Sequence, residues 1–143
     1  MEFHFDCSHR ELQSALHAIV SSLAAERGLA VKETRLTLSA VSSRALEFKV
    51  ECDVKAMIVS TTLVVLGCAE IDDDLRATVT DLSIEEGGML ASLASAAIEP
   101  QLAKFRGRSF QVADLKIPGL RVCDVRLTAG ERVRFTVQLA TTA

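Results

Sequence analysis

The spacing of apolar residues changes along this chain and marks out its elements. Leu12, Leu16, Ile19, Val20 and Leu23 recur at intervals of three and four, the stripe of an amphipathic helix. Ser8-His9-Arg10-Glu11 ahead of them has capping-box spacing, and Gly28 suits the left-handed position that ends a helix, so a helix is predicted over residues 8–27. Before it, Phe3 and Phe5 alternate with polar neighbours and suggest a short strand. After it the period falls to two. Leu36, Leu38 and Ala40 share a face of 31–40, and Ser42-Ser43-Arg44 reads as a turn. Leu46, Phe48, Val50, Cys52 and Val54 then alternate with Glu47, Lys49, Glu51, Asp53 and Lys55, a half-buried strand.

Residues 56–69 (AMIVSTTLVVLGCA) break that alternation by being apolar on both sides. Met57, Val59, Leu63, Val65 and Ala69 fall on one face, and Ile58, Val64, Leu66 and Cys68 on the other. Read as one interior strand, the segment needs two covers, or an apolar surface that is not part of this chain. Asp72-Asp73-Asp74 follows as a turn. The alternation of Leu75, Ala77 and Val79 flips phase at Asp81 to Leu82 and Ile84, which predicts a bulge or a sharp bend.

Gly87-Gly88 precedes a second helical stripe of Leu90, Leu93, Ala94, Ala97, Ile98, Leu102 and Phe105. Pro100 inside it predicts a kink or two shorter helices. Strands are predicted at 109–116, 120–128 and 132–140, with turns at Pro118-Gly119 and Ala129-Gly130. Such short turns join antiparallel strands. The predicted fold is α+β: a curved antiparallel sheet of about seven strands packed around two amphipathic helices, in the order helix, four strands, helix, three strands. At 143 residues the chain suits a single domain.

Composition narrows the functional classes. The chain is 49% apolar, yet it has six Phe and no Trp or Tyr, so stacking platforms for single-stranded nucleic acid are nearly absent. Its net charge of −3 hides an asymmetry, with 8 Lys+Arg against 16 Asp+Glu in 1–99 and 8 against 3 in 100–143. A pI of about 5.6 argues against specific nucleic-acid binding. The basic stretch reads either as one of two oppositely charged faces, packed or solvated, or as a contact for an anionic head group or partner. Lys104, Arg106 and Arg108 are the candidates for that contact. Residues 1–6 (MEFHFD) lack a secretion leader's basic and apolar regions, and no apolar run reaches about 18 residues. A cytoplasmic protein with no transmembrane segment is expected, with peripheral membrane contact left open.

Candidate chemistry is thin. Cys7, Cys52, Cys68 and Cys123 are widely spaced and read as reduced, small hydrophobes. His4, Asp6, Cys7 and His9 cluster, but no second ligand group stands at metal-site spacing. Asp72-Asp73-Asp74 is too compact for a calcium loop, and Glu85-Glu86-Gly87-Gly88 lacks the lysine of a phosphate loop. His17 has no nucleophile motif to serve. The reading is of no catalytic residue, no metal, no cofactor and no enzyme.

The stretch LASLASAAIEPQLAKFRGRSFQVADLKIPGLRVCDVRLTAGERVRF, residues 90–135, resembles the tubular lipid-binding superfamily of bactericidal/permeability-increasing-like and synaptotagmin-like mitochondrial domains. It runs as an apolar helix containing Ile98-Glu99-Pro100, a strand, then Leu120 to Leu127, then a final strand. The resemblance implies a long helix wrapped by a curved antiparallel sheet, with an apolar groove between them for acyl chains. On that reading Val59, Leu63, Val65, Leu90, Leu93, Ala97 and Ile98 would line the groove. Lys104, Arg106 and Arg108 would stand at its mouth. The alternative is a structural or protein-interaction module with no small-molecule ligand, in which a homodimer partner or both helices cover the two-faced segment.

Overall fold

The computed structural model describes residues 1–85, 96, 99–100, 102–112 and 117–142. Among these, the chain forms β1 (Glu2–Ser8), α1 (His9–Ala25), β2 (Ala30–Ala40), β3 (Ala45–Ala56), β4 (Val59–Ile71), β5 (Arg76–Glu85), β6 (Ser109–Gln111), β7 (Leu120–Thr128) and β8 (Arg132–Thr141). Residues 96, 99–100 and 102–105 are helical. The class is α+β with antiparallel pairing, as expected. The strands, however, form two sheets instead of one, ordered β2-β3-β4-β5-β6 and β1-β8-β7. The order begins with a strand, and the count is eight because the Phe3–Phe5 segment joins the far end of the chain: Phe3 pairs with Val137 and Phe5 with Phe135. Periodicity reports which face of a strand is buried, not which strand lies beside it. The stripe residues Leu90, Leu93, Ala94, Ala97 and Ile98, and residues 113–116, lie outside the described residues.

The first helix forms where its caps require. The Ser8 hydroxyl accepts from the Glu11 amide at 3.1 Å, satisfying one of the donors left open at a helix start. At the other end Gly28 adopts φ +72°, and the Gly28 and Leu29 amides donate to Ala25 and Ala24 carbonyls. The buried stripe is rotated from the predicted one. Ile19 is 57% exposed, while Ala24 is buried.

The apolar run 56–69 is not one strand. Ala56 pairs with Val59, so Met57 and Ile58 alone turn the β3–β4 hairpin, with Met57 at φ 57°. Two-residue hairpin turns usually announce themselves with Gly, Asn or Asp, and their absence hid this one. Nor is β4 doubly covered. Val64, Leu66 and Cys68 stand opposite Glu51, Lys49 and Glu47, on the charged side of the sheet, and Leu66 is 38% exposed. The predicted bulge is present: Cys68 pairs with Asp81 and Ala69 with Val79, leaving Thr80 as the extra residue.

Two small cores result. Val50, Cys52, Val54 and Leu63 form one on the apolar face of the five-stranded sheet, with Leu16 and Val20 of α1 against them. Val125, Phe135, Val137 and Leu139 of the three-stranded sheet form the other, with Ile71 at the end of β4 and Leu75 from the β4–β5 connection. In the first, Phe48 lies flat over Gly67, and a Cβ there would overlap its ring. Gly67→Ala should therefore lower stability by about 1–3 kcal/mol in urea unfolding. Adding Phe48→Leu should recover part of that loss.

Candidate functional site

The apolar face of the five-stranded sheet is the surface on which the sequence placed a groove. It arises because β3 alternates strictly and β4 pairs with it residue for residue, setting Phe48, Val50 and Cys52 beside Gly67, Val65 and Leu63. Helix α1 lies along one side of this face. Its flank carries polar residues at four-residue spacing that serve the edge strand β2. His9 Nε2 lies 2.5 Å from the Leu36 carbonyl, and the Leu36 amide donates to Gln13 Oε1 at 2.9 Å. His17 Nδ1 is 2.8 Å from Thr34 Oγ1. Both backbone groups of Leu36 are thus satisfied by helix side chains, which blocks strand addition at that point of the edge. His9 and His17 are therefore structural partners. Gln13 went unremarked in the sequence, although the 9–13–17 repeat was the available signal.

Away from α1 the cover thins. Val50, Cys52, Val54 and Leu63 are buried, whereas Leu36, Phe48, Val65 and Ile84 are only half-buried and Val59 is 38% exposed. Of the expected groove residues, Val59, Leu63 and Val65 share this face, and Leu63 belongs to the buried cluster that Leu16 and Val20 of α1 pack against. Leu90, Leu93, Ala97 and Ile98 are outside the described residues. The helical segment ends at Phe105, whose ring stacks on Phe110 of β6 at 6.3 Å.

The three candidate head-group cations differ. Arg106 Nε donates to the Leu82 carbonyl at 2.7 Å and Nη1 meets Glu99 at 2.5 Å, tying the helical segment to β5. Arg108 sits over the Phe110 ring at 5.6 Å, and Lys104 is exposed. Further along, Arg132 and Arg134 both bind Asp6 of β1, and Arg126 binds Asp124. Arg132 and Arg134 thus tie β8 to β1, whereas Arg126 is paired within its own strand.

The other face of the sheet is ionic. Arg35 on β2 reaches Asp53 with two bonds of 2.9 and 3.1 Å and Glu51 at 3.3 Å, and it also contacts Glu33. The Arg35 hydrogen bond, helped by Thr62, holds the Asp53 carboxyl down at about 2. Glu51 is lowered by Lys49 and then by Arg35. A shallow hollow of about 440 Å³ on this face is lined by Glu47, Lys49, Leu66, Cys68 and Asp81 among others. A more open one of about 870 Å³ lies between the start of α1, β2 and the β7–β8 turn, beside His9, Leu38 and Glu131. Among the described residues no three His, Cys, Asp or Glu side chains gather as a metal site, and no helix is long and apolar enough to cross a membrane. All four cysteines are free; burial pushes the Cys52 thiol up, while Cys123 is exposed.

No family model and no curated protein matches the chain. Among solved structures, the crystal structure of lipopolysaccharide binding protein is similar over 99% of this chain, with 10% identity and a TM-score of 0.41. This chain spans 41% of the length of that protein. The likeness to tubular lipid-binding proteins accordingly stays a resemblance of sequence pattern.

The Arg35 cluster sets an acid limit. Asp53 is depressed in the folded state, so its contribution is complete above its unfolded value of about 4 and is lost as pH falls towards 2. Glu51 acts in the same direction. Urea unfolding of the wild type and Arg35→Met should show a stability gap that is constant near neutral pH and closes between about pH 4 and 2. A gap unchanged at pH 2 would show that Arg35 stabilises by packing alone.

Proposed function

We propose that this chain is a non-enzymatic domain that holds a lipid or other apolar ligand against the apolar face of its five-stranded sheet. The incomplete cover of that face is the observation that supports it most. Val50, Cys52, Val54 and Leu63 are buried, with Leu16 and Val20 of α1 packed against their cluster, whereas Val59 is exposed and Phe48, Val65 and Ile84 are only partly buried. In a chain that is 49% apolar, such surface favours a hydrophobic occupant, at roughly 25 cal/mol for each Å² withdrawn from water. In this reading Val59 and Val65 form one wall, with buried Leu63 behind them, and Leu90, Leu93, Ala97 and Ile98 form the other. Lys104, with Arg106 and Arg108, meets a head group at the mouth.

A second reading, a homodimeric interaction module without a ligand, draws support from Phe105, Phe110, Val112 and Ile117. All four are more than a third exposed, and they lie close together in sequence around β6.

Native mass spectrometry of freshly purified protein separates the two readings. A ligand-bound mass is expected, with the same compound in an organic extract. Val59→Asp should fold and lose that mass, because its side chain is at the open end of the face. Leu63→Asp should fail to fold, since an unpaired charge buried among Val50, Cys52 and Val54 costs several kcal/mol. A clean apo mass with an empty extract would remove the ligand reading, and a dimer in light scattering would then favour the second.

A further inference from the structure

The tip of the β3–β4 hairpin presents two large apolar side chains that the fold does not use. Met57 is 93% exposed and Ile58 92%. They make up the whole turn, a place where Gly, Asn or Asp serves the backbone best. Met57 holds φ 57° there, so an unfavourable backbone conformation and unburied apolar surface coincide at one point. On its β2 side the pairing with β3 runs as far as Ala30 with Lys55, so Ala56 to Val59, with the turn between them, lie past the start of β2.

Cations flank this tip. Lys55 precedes Ala56 and lies across from Ser60. Ala30 pairs with Lys55, which brings the start of β2 to the same end, with Lys32 in the bulge between Val31 and Glu33. Exposed Arg27 stands just before that strand. Of the acids nearby, Glu33 and Asp53 are engaged by Arg35. Glu26 is exposed beside Arg27, and Glu85 is set back along the hairpin.

Two aliphatic side chains are too little for a protein interface, which needs about 1,000 Å² or more. They suit the interfacial layer of a bilayer, where apolar groups insert and lysines meet anionic head groups. We propose that the Met57–Ile58 tip inserts into an anionic lipid surface, with Lys55 and Lys32 against its head groups. This docking is separate from the ligand groove and does not rest on it.

The chain has no Trp or Tyr, so Ile58→Trp supplies a lone fluorescent reporter. With vesicles of phosphatidylcholine and phosphatidylserine its emission should shift to the blue and be quenched by brominated acyl chains. Met57→Ser with Ile58→Ser should weaken co-sedimentation of the protein with these vesicles by about tenfold or more. Lys55→Glu should reduce binding to the level seen on pure phosphatidylcholine. Because the substituted tip is exposed, melting temperature and the mass of any co-purified ligand should stay as in the wild type, which separates this surface from the groove. The proposal is overturned if the wild type ignores both kinds of vesicle, or if the double variant sediments with them as well as the wild type. It is equally overturned if the Trp emission stays water-exposed, or if a photo-cross-linker at Ile58 captures a protein and not lipid.

Discussion

Everything in the five-stranded sheet depends on the register between β3 and β4. Twelve consecutive pairs run from Ala45 with Glu70 to Ala56 with Val59 without a slip. Moving one strand by a single residue would turn its apolar set onto the charged side. Val50, Cys52 and Val54 would lose Leu16 and Val20 of α1, and Thr62 would no longer reach Asp53. Gly67 adds a steric condition, since only a residue without a side chain fits beneath the ring of Phe48. The hydrophobic face and the ionic face therefore enforce the same alignment from opposite sides. That agreement lets a turn as unusual as Met57-Ile58 connect the two strands.

The two sheets are joined by a plug. The end of β4 and the connection to β5 deliver Ile71 and Leu75 from the larger sheet into the core of the smaller one. Leu75 is 2% exposed and stands at φ 60°, a conformation that costs an L-residue about 1–2 kcal/mol. Asp72 braces it: one carboxylate oxygen accepts the amides of Asp74 and Arg76, while its carbonyl accepts that of Leu75. Backbone bonds from Ile71 to Arg44 and from Leu127 to Ser43 complete the joint, with Arg44 also reaching Asp124 at 3.8 Å.

What the sequence made legible is whatever rests on local periodicity. Ser8 as a cap, Gly28 as a helix stop, the alternation of 46–55, the turn at Asp72 and the bulge near Asp81 all follow from short-range sterics and hydrogen bonding. Three things did not follow. The division into two sheets depends on β1 finding β8, a pairing without local trace. The Met57-Ile58 turn lacks turn residues, so its apolar character looked like strand interior. The blocking of the β2 edge at Leu36 by His9 and Gln13 is a tertiary use of side chains that, read alone, suggest only a solvated helix flank. Of the proposed groove, Val59, Leu63 and Val65 were legible as one face because they lie at even spacing on a strand. That Leu63 is buried while Val59 is open to solvent depends on what packs over each, which spacing does not encode.

The union of β1 with β8 also sets an order in time. His4 and Thr136, hydrogen-bonded across the two strands, are 132 positions apart. By contrast β2 to β5 are successive hairpins that pair with one another within residues 30–85. On a chain growing from its N-terminus, contacts close in sequence form before distant ones. Four strands of the larger sheet can assemble under α1 while β1, continuous with the start of that helix, still lacks a neighbour. Phe3 and Phe5 then remain in water until the last strand has been synthesised. The earliest strand of the smaller sheet to emerge is the one longest exposed to misassociation, and Asp6, later gripped by Arg132 and Arg134, keeps a negative charge on it during that wait.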